Sequence, residues 1–421
     1  MKILYESSIL GDSYLAARSK AGIYRVITSI LNANVVAEDV EMYFCAHKTL
    51  IHTVLARKYF LDNSPENVGN FLSTWRLYTF FLDLCELAVS TVHFNTSREN
   101  INKLKRKLLV WFLRLVSLTI KKKTIKGIDI YHSFFYALPD VEFIDSKARF
   151  ITVYDMIPIL MPHLFGQGME GHFKKIISSI NIESDWVICI SESTKRDFCE
   201  YTSMRDDRVF VVPLAASESF FPVSDASTIK TVKEKYDIPE GEYILALSTL
   251  EPRKNTLSVI RSFKKLIESN PSEKLYLVLA GAKGWKYEEI FSSVLQYPHL
   301  RERIVFAGRI ADEDLSTLYS GALFFVYPSL YEGFGLPPLE SMACGTPVIT
   351  SNNSSLPEVV GNAGILVDVK EPNSLTEAMI VLYKDIDLRE KLAKHSLAQA
   401  ATFSWEKCAH MSLAAYRQAM T

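Results

Sequence analysis

The amino-acid sequence predicts an α/β chain of two doubly wound, Rossmann-like domains that face each other across a cleft. Three observations lead there. From residue 241 to 403, short apolar runs alternate with helical patterns, which argues for a parallel sheet made of βαβ units. The same alternation, less regular, fills residues 1–215. Between them, residues 216–240 lose their periodicity and carry Ser, Pro and charge, as an inter-domain linker does.

In the first domain KILYE, EMYFCA, IDIYHS, RFITVYD, DWVICIS and RVFVVP read as strands. Ser191, after VICIS, is placed to cap the helix that follows. In the second domain the strand runs are Tyr243–Ser248, Leu275–Gly281, Ile304–Gly308, Leu323–Ser329, Pro347–Ser351 and Gly364–Asp368. They are near-continuously apolar, as expected of strands covered on both faces. Helical patterns fall between them at Thr256–Ser269, Tyr287–Gln296, Glu313–Ser320, Pro338–Ala343 and Ser374–Lys384, and a last helix occupies 404–421. Right-handed crossovers make such strands a doubly wound sheet, and ligands of these sheets bind at the carboxyl ends of the strands.

Composition narrows the class. A chain of 421 residues, 48% apolar and with net charge −1, has room for two full cores and gives no global argument for nucleic acid. The opening MKILYESSIL reads as a strand, without the long apolar stretch and cleavage site of a signal peptide. Six scattered cysteines without a C-x-x-C, and nine histidines without ligand spacing, suggest neither a zinc site nor a disulfide framework. Reduced thiols in the cytoplasm are the expectation. Lys103 to Lys126 holds nine Lys or Arg and no acid around an apolar centre, Leu108 to Ile120, that Arg114 interrupts. That centre is short of the roughly 20 residues a bilayer span needs. Two readings stand: a helix lying on an anionic leaflet, or a core helix with solvated basic flanks.

The chemistry gathers at two strand ends. After Tyr243–Ser248 comes TLEPRKN, in which Pro252 sets a helix start and Arg253 and Lys254 sit at or beside its first turn. Cations at a helix start, where free amides already attract anions, suit a diphosphate. After Leu323–Ser329 comes YEGFGLPPLE, with Glu332 before a Gly-rich turn and Glu340 inside the next helix. Carboxylates accept hydroxyls well. A nucleotide sugar has hydroxyls at both ends and phosphates between, so one glutamate can hold the sugar and the other the ribose. The Asp-x-Asp of Asp385–Asp387 follows a late helix rather than a strand end and is read as chance.

The stretch SLYEGFGLPPLESMACGTPVITSNNSSLPEVVGNAGILVD resembles glycosyltransferase family four, retaining enzymes of the GT-B fold, and LSTLEPRKN resembles its bacterial mannosyltransferase-like members. TVYDMIP, CISESTKRDF and KAGIYRV resemble family positions more loosely. The resemblance implies that Glu332 contacts the transferred sugar, Glu340 holds the ribose, and Lys254 with Arg253 neutralises the diphosphate. It also implies that Gly333, Phe334, Gly335 and Leu336 give backbone amides, that Gly22 approaches the diphosphate, and that the AGRI strand end at Ile310 borders the base. Asp155 matches the aspartate of a His-Asp element near the reacting carbon. Tyr154 stands where that histidine would, and no arginine stands at Ser248 or its neighbour. His132 is a second cleft candidate, though a lone histidine there more often serves the core.

The expectation is a retaining hexosyltransferase that needs no divalent metal and no cofactor beyond its nucleotide-sugar donor. The resemblance of TLEPRKN and YDMIP to mannosyltransferases implies mannose from GDP-mannose and leaves rhamnosyl, fucosyl and glucosyl donors open. The acceptor is a glycan or lipid-linked glycan of polysaccharide or lipopolysaccharide biosynthesis, and no nucleic acid is involved. The enzyme is expected in the cytoplasm, with peripheral membrane contact through residues 103–126. A nucleotide-sugar epimerase of the same fold and a catalytically dead binding subunit are the alternatives.

Overall fold

A computed structural model of the chain describes residues 1–12, 23–34, 39–75, 85, 107–108, 110–117, 123–165, 168–269, 274–295 and 298–421. The first sheet contains β1 (Lys2–Glu6), β2 (Glu41–Cys45), β3 (Ile125–Ser133), β4 (Ile144–Val153), β5 (Trp186–Cys189) and β6 (Val209–Val211). Their order is β2-β1-β3-β4-β5-β6, all parallel. The second contains β7 (Glu242–Leu247), β8 (Leu275–Ala280), β9 (Ile304–Gly308), β10 (Phe325–Tyr327), β11 (Val348–Ser351) and β12 (Gly364–Val367). It runs β12-β11-β10-β7-β8-β9, again all parallel. Both are doubly wound, as the sequence predicts. The winding reverses between β1 and β3 in one sheet and between β7 and β10 in the other, and these switch points open the crevices where ligands of such sheets bind.

The apolar strand runs fill the cores. Tyr5, Phe44, Phe134 and Phe150 are fully buried under the first sheet, and Phe263, Phe324 and Phe325 in the second domain. Each such side chain stabilises the fold by about 1.5–3 kcal/mol through burial. Ser191 caps the helix Glu192–Thr202, its side chain accepting the N–H of Thr194.

Two expectations change. The linker is not aperiodic throughout, because Ala226–Lys235 is a helix. Asp225 caps it, accepting the Thr228 N–H at 2.8 Å, and the helix packs on Leu315–Ser320 of the second domain. Its sparse apolar positions, Ile229 and Val232, concealed it. The last helix, Trp405–Gln418, does not stay with the second domain but crosses back to pack on Ile23–Asn34 of the first. Its buried Tyr416 reaches His132, where the core reading of that histidine holds. Nδ1 of His132 lies 2.5 Å from the Tyr416 hydroxyl and Nε2 lies 2.8 Å from Thr152 Oγ1. Burial pushes this imidazole down to about 3, so His132 ties the returning helix to β3 and is a core residue rather than a cleft group.

Within the basic segment, residues 107–108 and 110–117 are helical. Leu113 is buried against Leu50, Val54, Leu55 and Trp75. Leu108, Trp111, Phe112 and Leu115 share the opposite, exposed face. The described residues contain no helix long and apolar enough to cross a membrane.

Candidate active site

β7 and β10 pair side by side at the switch point of the second sheet, so the segments leaving their carboxyl ends meet. From β7 the chain enters the 3-10 turn Pro252–Lys254. Asn255, at φ 55°, closes that turn and starts the helix Thr256–Glu268. Arg253 and Lys254 are therefore presented by the turn ahead of the helix. From β10 the chain runs through Ser329 and Glu332 to the helix Leu336–Ala343, which begins two residues before the predicted Pro338.

Glu332 is the hub. Its Oε1 accepts from Lys254 Nζ at 2.5 Å, Ser329 Oγ at 2.6 Å and Tyr327 OH at 2.9 Å, and lies 2.8 Å from Arg253 Nη1. Burial opposes its charge, yet Lys254 and Arg253 hold the carboxyl down at about 2. For Lys254 burial wins, and its ammonium sits below its ordinary value despite Glu332. For Arg253 burial lowers the value, but Glu332 raises it further. Arg253 also donates to Glu251 Oε1 and to the Tyr331 carbonyl at 2.8 and 2.9 Å. Its buried Nε finds no acceptor among the described residues, an unmet donor beside the cluster.

Asp155 enters from the first domain, just beyond β4. Its Oδ1 accepts the Ile157 N–H at 3.0 Å. Burial pushes its carboxyl up to about 6, opposed by that N–H and by Arg253, and the charges of Glu332 and Lys254 also act on it. A methyl group on Gly333 would lie 1.9 Å from the Tyr154 carbonyl oxygen and 2.8 Å from Asp155 Cβ. Only glycine lets the two domains meet there. Tyr154 itself packs against the core cluster that includes Cys408.

The structure thus brings Arg253, Lys254, Glu332, Gly333 and Asp155 together. The N–H groups of Gly333, Phe334 and Gly335 have no acceptor among the described residues, while the Phe334 ring is buried against Phe403. Gly335 has φ +127°, a conformation other residues avoid. Leu336 opens the helix that carries Glu340, which accepts from Tyr319 OH at 3.1 Å. Ile310 follows β9 but is buried, packed in the core with Leu315 and Leu318. Gly22 lies outside the described residues. Asp385 caps the helix Ile386–Ala400 by accepting the Leu388 N–H at 2.8 Å, which explains that acidic pair.

Sequence reasoning missed several groups. Tyr327 and Ser329 hold Glu332, and Glu251 holds Arg253. Glu358, inside the LPEVVG turn, accepts the N–H groups of Glu192 and Ser193, both at 2.8 Å, across the cleft. Ser191 Oγ and Thr194 Oγ1 donate to the Gly333 carbonyl at 2.7 and 3.2 Å, and Tyr331 OH donates to Asp197 at 2.6 Å. The available signal was the position of Tyr327 and Ser329 at a strand end; the partners across the cleft had none.

Two doubly wound domains closing on a carboxylate–cation cluster define a glycosyltransferase of the GT-B class. The model of the family described as glycosyl transferases group 1 matches residues 228–398. The chain is 31% identical over 288 residues to the O-antigen chain mannosyltransferase B of Escherichia coli, an alignment covering 68% of this chain and 75% of that one. It is 34% identical over 265 residues to the serotype-specific mannosyltransferase WbdA of the same species, covering 62% of this chain but 32% of that longer protein. Among solved structures, a sucrose-phosphate synthase from Thermosynechococcus elongatus superposes with a TM-score of 0.65 at 19% identity, over 99% of this chain and 98% of that one. The chain belongs to the group 1 glycosyltransferases, the family its sequence resembles.

Proposed function

We propose that the protein is a retaining hexosyltransferase that moves mannose from GDP-mannose onto a glycan or lipid-linked glycan during polysaccharide biosynthesis. The observation that carries this reading is Glu332 held by Lys254 and Arg253 at the β7–β10 switch point, facing Asp155 of the other domain. The donor's sugar hydroxyls take up Glu332, and its diphosphate draws on Lys254, Arg253 and the amides of Gly333–Gly335. Those groups stabilise the charge that grows as the nucleotide diphosphate leaves, so the reaction is expected to run without a divalent metal. Glu340 is assigned to the ribose. The likeness to two mannosyltransferases supports mannose as the sugar. Attack from the face the nucleotide leaves, with the departing phosphate taking the acceptor's proton, gives retention.

The exposed apolar stripe Leu108–Trp111–Phe112–Leu115, flanked by lysines, supports contact with an anionic leaflet where a lipid-linked acceptor lies. Incubation with GDP-mannose, UDP-glucose and their relatives, with and without mannosylated acceptors, tests the assignment. GDP-mannose should be consumed, acceptor-dependently and in the presence of EDTA, and yield an α-linked mannoside. Conversion of donor alone to an epimer, or consumption of UDP-glucose in preference, would refute it.

A further inference from the structure

The first sheet has its own switch point, between β1 and β3, and a cavity of about 480 Å³ opens beside it. His47 and Lys48 reach its wall just beyond β2, Tyr136 just beyond β3, and His172 and Lys175 from the helix Met169–Ile177. Thr74 also lines it, fully buried, and its hydroxyl has no partner among the described residues. Lys48 Nζ lies 4.0 Å above the Tyr136 ring, so that ring face is taken by an ammonium rather than left for a sugar. Asp140 is the single acid on the described wall.

The acids behind the wall are already answered. Asp12 accepts the Tyr136 hydroxyl and lies 3.2 Å from His52 Nε2. Glu6, buried at the end of β1, is pushed up to about 8, mainly by burial, and accepts from Ser8. It lies 3.8 Å from His47 Nδ1, which also meets the Tyr131 hydroxyl at 3.2 Å, so His47 turns only its other ring edge to the cavity. What faces the cavity is therefore two ammonium groups, two imidazoles and a hydroxyl donor, against the single carboxylate of Asp140. Such donors match the oxygens of a phosphate, and the volume suits a small phosphorylated group.

We propose that this cavity binds a phosphate or diphosphate group of the acceptor. The word acceptor rests on the transferase reading; the anion site does not. The donor's diphosphate is assigned to Arg253 and Lys254 in the other domain, so this second anion site lies on the sheet whose β4 end presents Asp155. The acceptor's charged part would be held here while its hydroxyl meets the sugar.

Calorimetry on the full chain, with inorganic pyrophosphate as the probe and saturating GDP filling the donor site, tests it. Wild type should bind one pyrophosphate. The double variant Lys48→Ser/Lys175→Ser should bind it at least 10-fold more weakly with unchanged GDP affinity, and Lys48→Arg/Lys175→Arg should retain it. Thr74→Val gives a second route and should lose several-fold. Vesicles containing phosphatidic acid should compete with pyrophosphate if the group belongs to a lipid, and glucose 1-phosphate should compete if it belongs to a soluble sugar phosphate. Wild-type binding that the serine variant preserves, or a cavity that takes neutral mannobiose and no pyrophosphate, would overturn the proposal. Failure of any nucleotide to bind would instead count against the transferase reading, whatever pyrophosphate does.

Discussion

Glu332 and Asp155, on opposite sides of the cleft, are pushed in opposite directions by their surroundings. Burial acts on both. Glu332 has two cations against it and falls to about 2, whereas Asp155 has one N–H partner and rises to about 6. The signs for stability follow. Glu332 contributes stability above its ordinary 4.5 and loses it as pH falls through about 2. The fold holds a proton on Asp155 more tightly than the unfolded chain does. That contribution is whole below the ordinary 3.8 and is lost as pH rises through about 6. Asp155→Asn keeps an acceptor for the Ile157 N–H without the buried charge. Thermal melts should therefore show the variant stabilised at pH 8, on the order of 2–3 kcal/mol, with no gain at pH 3.5 and with transferase activity lost. Equal melting shifts at both pH values would contradict the buried-charge account.

The cleft-facing elements were legible to different depths. All twelve strands stand where apolar runs placed them, because strands buried on both faces announce themselves by composition alone. The turn Pro252–Lys254 and the loop around Gly333 were legible because Pro, Gly and charge have local meaning at strand ends. The helix Ala226–Lys235 was not, since its only buried residue is Val232. Nor was the clasp between the domains. Glu358 caps a helix whose amides lie 166 and 165 residues earlier, and no local pattern reports a partner that distant. Ile310, implied to border the base, turns its side chain into the core beside Leu315 and Leu318, a packing that the strand end alone did not report. Gly333→Ala tests the clasp. Its methyl would meet the Tyr154 carbonyl, so the loop and Asp155 would have to separate. Turnover should fall about 100-fold while far-ultraviolet circular dichroism stays that of wild type. An alanine variant with full turnover would show that the domains need not meet at this point during reaction.

Across the whole molecule, the chain crosses between domains twice, once near residue 216 and once when Trp405–Gln418 returns to the first domain. The pattern of that last helix was readable, but its destination depended on Tyr416 finding His132. The exposed apolar face of Leu108, Trp111, Phe112 and Leu115 is the surface proposed above to meet a membrane. Trp111→Ser/Phe112→Ser should reduce partitioning onto phosphatidylglycerol vesicles at least 10-fold and leave the melting temperature unchanged; equal partitioning would place the acceptor contact elsewhere. The central claim, that a nucleotide sugar is activated between the two sheets by the cations beside Glu332, is tested most directly by single-turnover release of GDP from GDP-mannose by Lys254→Ala with acceptor present. The rate should drop by 10²- to 10³-fold, the usual effect of removing one preorganised charge-stabilising donor, with acceptor affinity unchanged. Release at the wild-type rate would contradict it.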